Sequence, residues 1–287
     1  MATPPGDGLL LVDKPAGMTS HDVVDRARRA LHTKRIGHAG TLDPFATGLL
    51  VLLVGRATRL LPYVDGEPKV YEATIRFGAE TTTDDRTGEA IVTAAPPSPA
   101  DVERALGSLT GEIDQVPPAY SAKQVGGRRA YVAARSGQAL ELPPVRVTVR
   151  SWELLGWDGT DLRARIVCAG GTYIRALARD LGRALGSAAH LAELRRVASG
   201  RFSVDDACSI DAIAPDALRP AVDALPAFDR ITLDEESRTR VGRGMTIARG
   251  SLHRGDHAAL LDPDGALVAV AARQGDAWQP KVVLVDA

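Results

Sequence analysis

Cysteine and aromatic residues are scarce in this 287-residue chain. There are two cysteines, Cys168 and Cys208, and aromatics make up 4% of the residues. Two cysteines cannot form a disulfide framework, and no C-x-x-C pair offers metal-ligand spacing, so a reducing cytoplasm is the expected setting. No long hydrophobic run occurs. Runs such as "LLVLLV" are far short of the roughly 20 residues that span a bilayer, and the N-terminus "MATPPGDGLL" lacks the basic and apolar regions of a signal peptide. The nucleotide motifs G-x-G-x-x-G and G-x-x-x-x-G-K-[ST] are missing, as is the nucleophile elbow G-x-S-x-G. None of the six histidines pairs with another at i, i+4 on an expected helix with an acid nearby. A metal centre, a nucleotide cofactor and a serine hydrolase are therefore not expected. Cys168 sits in an alternating strand and reads as a buried structural thiol.

What is present is ordinary in bulk: 45% hydrophobic, 25% charged, net charge -1. The distribution is less ordinary. Residues 61–120 hold 4 Lys/Arg against 11 Asp/Glu, while residues 121–203 hold 14 against 6. A near-neutral total thus hides a basic segment suited to phosphates, although an arginine-rich composition could also scatter such charges without function.

Local patterns give the elements. "GLLLVDKP" (8–15) reads as a strand and turn. "TSHDVVDRARRALH" (19–32) reads as a helix capped by Thr19 or Ser20. "GLLVLLVG" (48–55) is a buried strand or a short buried helix, which periodicity does not decide. "KVYEATIRFG" (69–78) alternates as a half-buried strand. "SPADVERALGSLTG" (98–111) is a capped helix, and residues 146–159 and 161–170 form a strand pair around Asp-Gly-Thr-Asp. "GTYIRALARDLGRALG" (171–186) and "AAHLAELRRVASG" (188–200) read as helices. A Pro/Asp/Ala-rich connector (210–229) leads to a short helix at 234–241, a hairpin around Asp-Pro-Asp-Gly and a last strand. Strands and helices alternate irregularly, so the expected class is α+β, with a mixed, antiparallel-rich central sheet flanked by helices.

One loop stands apart. "GHAGTLDPFATG" (37–48) carries a single acid, Asp43, among three glycines and Pro44. The glycines and proline fit a loop that keeps one geometry while a ligand approaches closely. A fixed carboxylate with an opposite charge nearby can act as nucleophile or general base. The loop alone fits a turn aspartate bonded to its own backbone at least as well.

Five stretches, in order from residue 8 to about 210, resemble the TruB-type tRNA pseudouridine-55 synthases. They are "GLLLVDKPAGMTSHDVV", "GHAGTLDPFATGLL", "KVYEATIRFGAETTTDDRTG", "VPPAYSAKQVGGRRAYVAARSG" and "VCAGGTYIRALARDLGRALGSAAHLAELRRVASGRF". The resemblance implies the pseudouridine synthase fold over residues 1–225, with 116–146 as an RNA-clamping insertion. Residues 226–287 would form a small β-rich PUA-like domain whose own acidity puts RNA contact there in doubt. The implied reaction isomerises uridine 55 in the T-loop of tRNA. It needs no cofactor and no metal, and a tRNA-folding role beside it is compatible.

The resemblance assigns roles. Asp43 matches the attacking aspartate, at C6 of uracil or C1′ of ribose. Tyr71 matches the tyrosine that stacks on the flipped base and takes part in proton transfer, and Arg175 the arginine paired with the aspartate. His38 matches a histidine beside the T-loop, and Tyr173 and Leu194 match residues around the uracil. Lys14, Arg128, Arg129, Arg195 and Arg196 are candidates for contact with the T-arm stem-loop of tRNA, as are Arg135, Arg179 and Arg183. Flipping a stacked base costs a few kcal/mol, of which a stacking aromatic recovers about 1–3 kcal/mol. The expected protein is a cytoplasmic monomer with no obligate protein partner and no membrane contact. Guide-RNA-dependent relatives of the dyskerin type share these motifs, but the long N-terminal extension and Lys-rich tail of that type are missing from this sequence.

Overall fold

In the computed structural model, residues 6–64, 66–121, 124–125, 128–130, 133, 140–248 and 255–285 are described. They form two compact units. The first comprises 1–44, 48–66 and 201–287, and the second 45–47 and 67–200.

In the first unit the strand Gly8–Lys14 lies antiparallel to Thr47–Val54, with Gly8 opposite Val54 and Lys14 opposite Gly48. Its other edge pairs with Cys208–Ser209, parallel, and with Arg219–Pro220, antiparallel. The short strand Ile36–Ala39 pairs with Thr47–Val54, placing His38 opposite Leu52. The run Leu49–Val54 is entirely buried, which settles its ambiguity: it is a strand with both faces covered, and such strands read as continuous apolar runs. One face is covered by the helix Ser20–Ala30 through Val23, Val24 and Ala27. Thr19 and Asp22 form its capping box. The other face shares a core with the C-terminal sheet, where Leu9, Leu11, Leu49 and Val51 join Ala259, Leu261, Leu267, Val270 and Val282. That sheet has five strands between residues 229 and 283. The hairpin expected around Asp-Pro-Asp-Gly is there, formed by His257–Leu261 and Leu267–Gln274.

In the second unit the strand Lys69–Phe77 lies between Asp161–Cys168 and Ala189–Ser199, antiparallel to both. Val145–Trp157 and Gly111–Gln115 extend the sheet. The helix Ile174–Ala184 packs on it through Leu177 and Leu181. Gly182 permits that approach, because a Cβ there would stand 2.6 Å from the Ala189 nitrogen. The helix Pro99–Leu106, for which Ser98 and Asp101 are both candidate caps in the sequence, is capped by Ser98.

One reading is corrected. Residues 188–200, expected as a helix, contain the strand Ala189–Ser199. The Ala/Leu/Glu/Arg composition favours a helix locally by a few tenths of a kcal/mol per residue. A full antiparallel ladder with Lys69–Phe77 overrides that preference. The helix at 171–186 begins at Ile174, after the Gly-Gly turn. No helix among the described residues is long and apolar enough to cross a membrane.

Candidate functional site

The Asp43 loop belongs to the first unit up to Pro44, and the preceding motif "DKPAGMTS" holds it on both sides of the aspartate. On the N-terminal side, the Ser20 hydroxyl accepts from Leu42 N at 2.8 Å and donates to Leu42 O at 3.1 Å. Both partners are buried. On the C-terminal side, Pro44 O accepts from Gly17 N at 2.8 Å and from Lys14 Nζ at 3.3 Å. Asp43 is half-buried between these fixed neighbours. Gly40 supplies the left-handed turn at φ 89° that a side chain would resist. His38 is half-buried in the strand that enters the loop.

Lys14 was a candidate RNA contact. The structure places it instead in the interior, 0% exposed, with Nζ donating to Pro15 O at 2.9 Å, Met18 O at 2.7 Å and Pro44 O. A buried ammonium requires such acceptors. Its short reach from strand to loop makes it an anchor of the Asp43 loop.

In the second unit the register collects three candidates on one face of the sheet. Tyr71 lies opposite Arg196, and Leu194 opposite Ala73. Directly opposed residues share a face, as do residues two apart along a strand. Tyr71 and Leu194 are buried, and Thr47 Oγ1 donates to Leu194 O at 3.5 Å. Arg195 alternates to the other face, opposite Glu72. Arg196 is 0% exposed, so its guanidinium belongs to the interior and not to a phosphate-binding surface. Arg128 and Arg129 lie in a short strand whose side chains are outside the described residues, as is Arg135. Within the expected insertion, residues 122–123, 126–127, 131–132 and 134–139 lie outside them too.

Arg175 opens the helix Ile174–Ala184 and is 4% exposed. Its Nη1 donates to Thr83 O at 3.0 Å and stands 3.6 Å from Asp85 Oδ2. Its Nη2 donates to Tyr120 O at 2.9 Å. The loop that receives it is tightly built. Asp85 Oδ1 accepts from Thr83 Oγ1, Thr87 N and Thr87 Oγ1, at 2.7, 2.9 and 2.5 Å.

One and two turns further along the helix, Arg179 and Arg183 face the same acidic segment. Arg179 pairs with Asp84 at 2.8 Å, donates to Val116 O at 2.8 Å and is buried; Arg183 pairs with Glu80. Both were phosphate candidates, and internal carboxylates hold them instead. Burial pushes the Asp84 carboxyl up to about 6, against the pull of Arg179 and Arg175. Burial likewise raises the Cys168 thiol to about 11, which makes it an inert core thiol. Lys69, at the start of the Tyr71 strand, is pushed down by burial and by the charge of Arg196.

Three residues that build these frames, Asp84, Asp85 and Gln115, carry no signal in the sequence patterns, and Ser20 is legible there only as a cap candidate. Nothing in periodicity joins the acid pair of "TTTDDRTG" to a helix some 90 residues later. Among the described residues, no group of three or more His, Cys, Asp or Glu is placed to hold a metal ion.

A family model described as TruB family pseudouridylate synthase (N terminal domain) matches residues 28–174. Models described as tRNA pseudouridylate synthase B C-terminal domain and tRNA Pseudouridine synthase II, C terminal, match 175–223 and 228–285. Among solved structures, a Cbf5-Nop10-Gar1 complex is similar with a TM-score of 0.72 and 25% identity, over 97% of this chain and 85% of that chain. The chain has the pseudouridine synthase fold.

The nearer likeness is to proteins named tRNA pseudouridine synthase B. One, from Leifsonia xyli subsp. xyli (strain CTCB07), is 47% identical over 283 residues, 94% of each chain. Another, from Thermobifida fusca (strain YX), is 46% identical over 290 residues, 96% of this chain and 98% of that one. The chain belongs to the TruB family of pseudouridylate synthases.

Proposed function

We propose that this protein is a tRNA pseudouridine synthase that isomerises uridine 55 in the T-loop. Family membership over residues 28–174 supports the reaction class. The name shared by relatives at 46–47% identity supports the RNA. One observation carries the assignment of the reacting group: Asp43 stands between two residues, Leu42 and Pro44, that are hydrogen-bonded from both sides. A nucleophile needs its approach fixed to within a fraction of an ångström, and a turn aspartate does not.

The reaction moves atoms within one nucleoside. The N1–C1′ bond breaks, a C5–C1′ bond forms, a proton leaves C5 and N1 ends protonated. No electrons enter or leave. In this reading Asp43 attacks the flipped nucleoside and holds the detached half while the base turns. Tyr71 lies under the base and takes part in the C5 proton transfer. Leu194 and Tyr173 bound the uracil, Arg175 supplies positive charge to the reacting pocket, and His38 occupies the T-loop side. Residues 1–225 form the catalytic domain, with 116–146 clamping the RNA, and 226–287 a small appended domain. The protein acts in the cytoplasm as a monomer.

The fold likeness to a Cbf5-Nop10-Gar1 complex raises a second reading, in which protein or RNA partners are required. The two readings differ on a bare substrate. A T-arm hairpin carrying tritium at uracil C5 releases it when the C5 proton leaves. We expect release by the purified chain alone. No release alone, with release restored by a cell extract, would favour the partner-dependent reading.

A further inference from the structure

The helix that carries Arg175 starts in an unusual way. Its cap position is Tyr173, whose side chain makes no capping hydrogen bond, and its first turn contains no acid. Helix starts normally rely on Ser, Thr, Asp or Asn there, because the first N–H groups have no partners inside the helix. An aromatic at that position gives up the local cap.

A different support comes from Gln115, 58 residues earlier, at the end of the strand Gly111–Gln115, and it acts on the main chain of the cap residue itself. Its carboxamide is 0% exposed. Oε1 accepts from Tyr173 N at 2.9 Å, and Nε2 donates to Tyr173 O at 3.1 Å. That carbonyl also accepts the first helical bond, from Leu177 N at 3.1 Å. One side chain therefore closes a ring of two hydrogen bonds on the main chain of a single residue, fixing both the position and the rotation of its peptide groups. A primary amide buried so completely is stable only if so paired.

The chain beyond Gln115 continues along the same helix. Val116 O accepts from Arg179 Nη2 at 2.8 Å, and Tyr120 O from Arg175 Nη2 at 2.9 Å. Three contacts thus tie residues 115–120, which include the first residues of the expected RNA-clamping insertion, to the helix bearing Tyr173 and Arg175.

We propose that Gln115 is a positioning residue for the uracil pocket. It does not touch RNA. It sets the Tyr173 main chain, and through it the direction of the Tyr173 ring and the origin of the Arg175 side chain. This inference rests on the function proposed above. Misplacing reacting groups by about 1 Å costs on the order of 100-fold in rate without removing any substrate contact. The signature of such a role is therefore slower chemistry at unchanged RNA affinity.

The test compares wild type, Gln115→Met and Gln115→Glu on the T-arm hairpin. Single-turnover rate at saturating enzyme, hairpin Kd and hydrogen exchange of the Tyr173 amide are all measured. Met removes both bonds at similar volume; Glu, assayed at a pH where it is ionised, keeps the acceptor for Tyr173 N–H and loses the donor. In both variants we expect the rate to fall about 10- to 100-fold, Kd to stay within about threefold, and the Tyr173 amide to exchange faster. A rate within about twofold of wild type in either variant overturns the proposal, as does a loss of affinity equal to the loss of rate. If Gln115→Met fails to fold, the same criteria apply to Gln115→Glu alone. An inactive wild type sinks the functional reading and this inference together; an active wild type with indifferent variants sinks this inference alone.

Discussion

Around Asp43 the supports are main-chain groups met by two side chains: Ser20 on Leu42, and Lys14 with Gly17 N on Pro44. Along the helix Ile174–Ala184 the supports are charges. Arg175, Arg179 and Arg183 stand in a row against Asp85, Asp84 and Glu80, and five of these six residues are buried. The two regions divide the work differently. A loop fixed by hydrogen bonds to its main chain loses only about 1–3 kcal/mol when one hydroxyl is removed. A buried ion pair loses about 3–5 kcal/mol when one partner is removed, because the other charge stays behind. Changes in the loop should therefore appear mainly in catalysis, and changes in the buried Arg179–Asp84 pair mainly in stability.

The sharpest way to break this contrast is at Asp43. Asp43→Asn keeps the loop's shape and removes the attacking carboxylate. We expect turnover to fall by about 10³-fold or more with the melting temperature nearly unchanged. Turnover near wild type would end the nucleophile assignment.

The second change falls on the helix. Arg179→Met strands the buried Asp84 carboxylate, and denaturant unfolding at pH 7 should show a loss of about 3–5 kcal/mol. A loss under about 1 kcal/mol would show that this pair is no more than a surface bridge.

Asp84 adds a pH dependence of known sign. Its carboxyl is raised from 3.8 to about 6 when folded. Between those values the folded state holds a proton that the unfolded state has released. Stability from this group is therefore greatest below pH 3.8 and is lost as pH rises through about 6. Relative to Asp84→Asn, the wild type should be more stable at about pH 4.5 than at about pH 7, by about 1–3 kcal/mol. A constant difference between the two, measured by chemical unfolding at both pH values, would contradict this.

The smallest effect is expected from Ser20→Ala, which leaves Leu42 N and O without their partner. Here we predict a loss of about 1–3 kcal/mol and, because Leu42 adjoins Asp43, a larger proportional loss of single-turnover rate than Arg179→Met gives. The reverse order of rate effects would erase the distinction between loop and helix.

The two regions also differ in how far the sequence revealed them. The Asp43 loop stood out because its glycines and Pro44 lie together within 37–48, although that pattern alone fits a turn aspartate as well and the family resemblance marked the acid; its supports from Lys14 and Ser20, 22 to 30 residues away, left no local sign. Thr19 and Ser98 were legible as caps, since a cap is written in the few residues that follow it. The charge ladder was not. Arg179 and Arg183 lie on the most basic stretch of the chain, and their partners Asp84 and Glu80 on the most acidic. Counted by segment, the charges suggested an RNA surface. Paired across some 95 to 103 residues, they hold buried carboxylates, Arg179 from the interior and Arg183 from the surface. Residues 188–200 failed as a helix on the same ground, because their strand is fixed by pairing with Lys69–Phe77 and not by their own preference. Gln115 gave no signal at all, since its partner is the backbone of Tyr173.

The central claim is that a carboxylate held in this loop isomerises one uridine of tRNA. Its most direct test is to incubate the purified protein with a full-length, unmodified tRNA transcript and map pseudouridine at every position. The account predicts pseudouridine at position 55 and nowhere else, and none with Asp43→Asn. A transcript left unmodified, modified elsewhere, or modified equally by the Asp43→Asn protein would contradict it.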